Sequence, residues 1–242
     1  MRIAKLSTVV ALVVSSLLGS SAFAGTIYAH YELAYNTQKV KFYTNLPGHT
    51  GALEPSAAIL AGDRLDLPAG PGVDTNVPDL FNTACVEIGE NISVPSNSTH
   101  PNVYPLLGAT TTLGGYSGPV YFDAARTKAT EKLWGAFFGS VINKTTAAIF
   151  QLCQWEIAFD TDLTLNDPTQ LTPFFVKPGQ FQAGITDVAE SWLATIRNDT
   201  SDQLPRTSML LLSGPGIQDL VTPLPEPASL ALLLAGLLIR RK

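Results

Sequence analysis

The pattern of apolar and polar positions divides the chain into a strand-like first part, a helical middle and a strand-like close. Residues 27–34 and 39–44 are rich in Tyr, Val, Ile and Phe and read as strands. Residues 81–88, 120–122, 173–176 and 208–213 read as shorter ones. Residues 123–138 place Ala125, Ala129, Leu133, Ala136 and Phe137 at helical spacing, with Asp123 as cap and Gly139 as stop. A second helix is predicted over Lys144–Phe159, apolar nearly all round from Ala147 onward and therefore buried. A third, amphipathic helix is predicted over 187–197, with Val188, Trp192, Leu193 and Ile196 inward. The stretches 47–78, 93–105 and 160–172 are rich in Pro, Gly or polar residues and read as loops or irregular edge. The expected class is mixed and mainly β, a β-sandwich or barrel with an inserted helical segment of about three helices. No internal repeat or linker divides the body.

Both ends carry a different pattern. Arg2 and Lys5 precede an apolar run from Leu6 to Leu18, and Ala22-Phe23-Ala24 follows as an A-x-A cleavage site. This is the layout of a secretory signal peptide over 1–24, too short in its apolar part for a membrane span. At the other end Pro225-Glu226-Pro227 leads into an apolar run over 228–239 and then Arg240-Arg241-Lys242. The prolines give an extended stretch, and the basic cluster favours the cytoplasmic side of a membrane. In that order the three elements of segment 221–242 resemble the PEP-CTERM sorting signal of Gram-negative bacteria. The resemblance implies recognition by an exosortase-type protease and export to the cell surface or extracellular matrix. Twelve apolar residues make a helix of about 18 Å, short of a ~30 Å hydrocarbon core, so the inner-membrane anchoring expected of this transmembrane segment is transient.

Charge narrows the partners. With the ends set aside, the body keeps 10 of the 15 basic and 19 of the 20 acidic residues, a net charge of −9. Such a domain repels phosphate backbones, and nucleic acid is excluded as a partner. Charged residues make up only 14% of the chain and hydrophobic ones 45%, which excludes a disordered body. His30, His49 and His100 lack metal-ligand spacing, so no metal site is expected from them. Asp160, Asp162, Asn166 and Asp167 lack the glycine and closing glutamate of an EF-hand and read as a solvated acidic loop. There is no G-x-S-x-G, P-loop or H-E-x-x-H motif. Neither an enzyme nor a bound cofactor is expected.

Two motifs carry chemistry. The first is Thr83-Ala84-Cys85-Val86-Glu87 on a strand, and the second is Phe150-Gln151-Leu152-Cys153-Gln154-Trp155-Glu156-Ile157 on the buried helix. A buried glutamine amide without partners costs several kcal/mol, so Gln151 needs a reason to be there. Together they resemble the thioester domains of bacterial surface adhesins over roughly residues 80–195. Cys85 matches the cysteine motif, followed by Val86 and Glu87. Gln151 matches the glutamine motif, with Phe150 before it, and Trp155 and Glu156 after. Ala84 departs from the family's aromatic or leucine, and Cys153-Gln154 from its Ala-Ile type of pair.

The resemblance implies a Cys85–Gln151 thioester, formed with loss of ammonia and open to attack by a surface amine. On this reading segment 25–220 is an adhesive domain that acts once, by covalent capture. Glu87, two residues from Cys85 on the same strand face, is a base or a bystander. The rival is a Cys85–Cys153 disulfide, the default for two cysteines in an oxidising compartment. In that case the body is a non-covalent structural or carbohydrate-binding component of an exopolysaccharide matrix, as it also is with two unreacted thiols. The two crosslinks are nearly exclusive, because Gln151 and Cys153 point about 200° apart around a helix.

Overall fold

The computed structural model describes residues 25–46, 49–65, 80–86, 96–112, 119–177, 182, 184–214 and 217–224. The signal peptide, Glu87 and the sorting signal with Pro225, Glu226 and Pro227 lie outside these. Among the described residues no helix is long and apolar enough to cross a membrane.

Six strands close into an antiparallel barrel. They are β1 (Gly25–Leu33), β6 (Ile59–Arg64), β7 (Leu80–Cys85), β8 (Ser96–Pro105), β12 (Met209–Gly214) and β13 (Ile217–Pro223), in the order β1-β6-β7-β13-β12-β8. The architecture is thus a barrel and not a sandwich, mainly β with three helices as expected. Strand β12 shows why its sequence is a continuous apolar run. Leu210 and Leu212 join Tyr31, Leu60, Phe81, Val103 and Leu220 inside the barrel, while Met209 and Leu211 face the helices outside. A strand buried on both faces loses the usual alternation.

Two barrel strands fall in stretches expected to be loops. Strand β6 lies inside 47–78, accompanied by β4 (His49–Leu53) and β5 (Ser56–Ala57). Its central Ala61-Gly62, within a Pro- and Gly-rich stretch, hid it. A Cβ on Gly62 would sit 2.4 Å from the Phe81 ring, so the glycine is what lets β7 pack there. Strand β8 lies inside 93–105 and pairs with both β1 and β12. Its Ser, Asn and Thr residues made the stretch read as turn-rich. The register against β1 shifts between Gly25 and Ile27, opposite Val103 and His100, which leaves Pro101 in a bulge where its missing N–H costs no ladder bond. Strand β13 continues to Pro223 and pairs through Val221 with Ala84 and Leu211, so the barrel crosses the boundary expected at residue 220.

Short strands pack around the barrel. Strand β3 (Phe42–Leu46) pairs with β4 and β11 (Phe174–Phe175), β2 (Gln38–Lys39) with β5, and β9 (Thr110–Thr112) with β10 (Pro119–Tyr121). The three helices are α1 (Ala124–Phe137), α2 (Lys144–Phe159) and α3 (Thr186–Asn198). Asp123 caps α1 by accepting from the Arg126 N–H, as expected. That helix runs into a 3₁₀ turn over Phe138–Ser140, so Gly139 lies within the turn and does not terminate it. Asn143 and Thr146 form a capping box that fixes the start of α2. Helix α2 is the centre of the molecule: every residue from Ala147 to Phe159 is buried. It lies between the outer face of the barrel, α1 and α3.

One polar pair sits inside the barrel. The Tyr31 hydroxyl lies 3.1 Å from His100 Nδ1, and His100 Nε2 lies 3.3 Å from the Gln218 carbonyl. A carbonyl only accepts, so Nε2 carries the proton and Nδ1 accepts from Tyr31. Burial pushes the imidazole down to about 4, against the opposing effect of the Gln218 carbonyl. The unfolded chain therefore binds a proton near the ordinary value of about 6.5 that the folded chain refuses until about pH 4. Stability falls as pH drops through this window and the loss levels off below it, by about 3 kcal/mol in all. Denaturant unfolding at a series of pH values measures this. His100→Gln should remove the slope, and an unchanged slope would place its origin elsewhere.

Candidate functional site

The structure joins Cys85 and Gln151 across 66 residues of sequence. Cys85 is the last residue of β7, where its neighbours change. On one side Cys85 stands opposite Leu220 of β13, and the Val86 N–H continues that ladder by donating to the Asp219 carbonyl. Backbone groups of successive strand residues point to opposite sides. The N–H and C=O of Cys85 therefore point the other way, toward β6. The paired register with β6 ends at Ile59 opposite Ala84, one residue short.

The side chain of Gln151 fills that place. Its Oε1 accepts from the Cys85 N–H at 2.9 Å, and its Nε2 donates to the Cys85 carbonyl at 2.6 Å. One carboxamide thus copies the donor and acceptor of a missing strand residue. Gln151 has no exposed surface, and these two bonds are what make its burial tolerable. The Cys85 side chain rises out of the sheet and packs at the edge of the inner apolar cluster, partly exposed.

The wheel of α2 separates the remaining polar residues. Trp155, 40° from Gln151 on an ideal helix, is buried on the same side, its ring 5.5 Å from Phe42. Phe150 packs edge-on against Trp134 of α1 at 5.0 Å. Gln154, which departs from the family pattern, turns to α1 and reaches Thr130 Oγ1 at 3.4 Å. Cys153 points to α3, its Sγ 3.5 Å from the Ala189 carbonyl. The two cysteines are not joined in a disulfide. The helical angle decides this: β7 and α3 lie on opposite sides of α2. Burial pushes the Cys153 thiol well up, and Glu156 and Glu190 add to the shift. Cys153 is consequently a protonated core residue and no nucleophile.

Glu156 points elsewhere than Gln151 and belongs to a second group. It is fully buried at the end of α2, with Asp160 also buried and Asp162 exposed. The loop expected to be simply solvated is therefore partly built into the core. Asp167, by contrast, is satisfied within its own turn. It accepts from the N–H groups of Thr169, Leu171 and Thr172 and from the Thr169 hydroxyl.

Comparison of the chain with protein-family models, with curated proteins and with solved structures gives no match.

Proposed function

We propose that this is an exported surface or matrix protein that captures amine-bearing targets through a Cys85–Gln151 thioester. The observation that supports it is the clasp of the Gln151 carboxamide by both backbone groups of Cys85. The Cys85 sulfur attacks the Gln151 carbonyl carbon from above the amide plane. Negative charge develops on Oε1, already 2.9 Å from the Cys85 N–H, the distance expected of an oxyanion donor. The C–N bond then breaks, Nε2 leaves as ammonia with the thiol proton, and a C–S bond replaces it. Attack by a primary amine reverses the roles: a new amide forms at Gln151 and a protonated thiol returns to Cys85. Burial of Gln151 keeps water from the acyl carbon, while the partial exposure of Cys85 leaves an approach for the amine. The protein is spent in one event and has no turnover.

The wider reading follows the chain ends. Signal-peptide loss at Ala24, exosortase-type processing at Pro225-Glu226-Pro227 and release to the surface deliver the domain to amines outside the cell.

Intact mass tests the bond. The body should weigh one ammonia less than its sequence requires, and Cys85→Ala and Gln151→Ala should each restore the full mass. Methylamine should add at Gln151 and release a titratable thiol at Cys85. Cys153→Ala should keep the deficit. An unmodified mass in freshly purified native protein would falsify the thioester and leave the clasp as a strand-closing device in a non-covalent binding module.

A further inference from the structure

We propose that Glu156, Asp160 and Asp162 form a calcium site at the carboxyl end of α2. The site is separate from Cys85 and Gln151 and does not rest on the thioester reading. One oxygen from each of the three carboxylates lies within 4.8 Å of the other two. Two oxygens that share a calcium ion at about 2.4 Å can be no farther apart than this. The donor set is oxygen alone, which suits a hard cation and excludes the softer metals.

The second observation is an orphaned buried oxygen. Glu156 has no exposed surface, and its Oε1 accepts from the Thr164 N–H at 3.1 Å. Its Oε2 is buried and receives no N–H or hydroxyl, and the groups it faces are the carboxylates of Asp160 and Asp162, with Asp162 close enough to share a proton with it. Asp160 repeats the pattern. Its Oδ1 takes the N–H groups of Thr161 and Asp162, while its Oδ2 is buried without a well-formed bond, the Phe174 backbone N–H being the other donor near this carboxylate. Among the described residues no Lys or Arg pairs with any of the three. Arg126, which lines a cavity with Asp160, donates to the Ala158 carbonyl and pairs with Asp123.

Position sharpens the case. The three acids stand at the negative end of a helix dipole, and the last turn of α2 has no basic residue. A buried carboxylate so placed is neutralised by a proton or paired with a cation. The neighbouring elements hold the loop ready for one. Glu190 accepts from the Thr164 hydroxyl and the Leu165 N–H, and Arg197 donates to the Leu163 carbonyl. Asp160 and Thr161 also line a cavity of about 50 Å³ with Arg126, Ile157 and Leu163, room for a coordinating water. Asp162 is exposed and provides the way in.

Three carboxylates completed by water place the affinity with extracellular calcium modules, Kd roughly 10⁻⁴–10⁻³ M. The test uses the purified protein, stripped with chelator and titrated with calcium to about 10 mM. The melting temperature should rise by about 5–10 °C near saturation. Magnesium, which demands a tighter octahedron, should give a smaller shift. Terbium in place of calcium should luminesce when Trp155 is excited, since Trp155 adjoins Glu156. Asp162→Asn, at an exposed position that leaves folding intact, should weaken calcium binding at least tenfold, and Glu156→Gln should abolish it. Cys85→Ala should bind calcium as the parent does. Absence of both the calcium shift and terbium luminescence would overturn the site, as would equal responses in the parent, Asp162→Asn and Glu156→Gln.

Discussion

Treating the native protein with methylamine should lower its melting temperature by roughly 10 °C. The thioester would tie β7 to α2 and close a loop of 66 residues. In the chain-entropy account, such a crosslink removes freedom from the unfolded chain worth about 4 kcal/mol. For a body of this size each kcal/mol moves the melting temperature by about 2–4 °C. Aminolysis opens the loop and leaves the packing of α2 intact, so the whole effect acts through the unfolded state. Cys85→Ala should melt at the lowered temperature from the start and ignore the amine. Calorimetry before and after treatment, paired with intact mass, checks both statements. Amine uptake with no fall in melting temperature would show that the bond does not constrain the chain. A fall equal in Cys85→Ala would trace the effect to the amine and not to the crosslink.

The helices were legible because their signals are local. Lys144–Phe159 carries its burial in a run that is apolar nearly all round, with only Gln151, Gln154 and Glu156 polar from Ala147 onward, and Asp123 caps α1 where the sequence places it. The barrel was less legible because closure is a long-range property. Strand β8 is a polar strand interrupted by Pro101, stabilised by two partners that lie far away in sequence. Strand β6 carries Ala61-Gly62 at its centre, and the value of that glycine appears only where Phe81 leans over it. At the candidate site, the sequence pairs Cys85 with Gln151 through motifs. The backbone N–H that would hold the developing charge has no side-chain signature and becomes visible only where β6 stops short. The acidic group was legible in part. Glu156 and Asp160 are four apart at the end of an apolar helix, a like-charge spacing that ordinarily destabilises. Read as a loop, the segment was expected to be solvated, and the burial of Glu156 and Asp160 became visible only in the fold.

The clasp itself can be read by pH, independently of any crosslink. In a Cys85→Ala protein the amide of Gln151 is necessarily intact, and the backbone at residue 85 is unchanged. Adding Gln151→Glu then replaces one donor by an oxygen. A protonated carboxyl reproduces the clasp: one oxygen accepts from the N–H of residue 85, and its O–H donates to the carbonyl. An ionised carboxylate is buried, has no donor, and sets an anionic oxygen against that carbonyl. The folded carboxyl is consequently pushed above the ordinary glutamate value of about 4.3. A group raised in this way contributes its stability below the unfolded value and loses it as pH rises toward the folded one. The double variant should match Cys85→Ala near pH 4 and fall behind it by about 1.4 kcal/mol per pH unit, reaching about 3–4 kcal/mol at pH 7. His100 titrates in part of this window with the opposite sign, but it does so in both proteins and cancels in their difference. Denaturant midpoints of the two proteins across pH 4–7 supply that difference. A constant offset with no dependence on pH would mean that residue 151 reaches solvent, and that the carboxamide is not held on the backbone of Cys85.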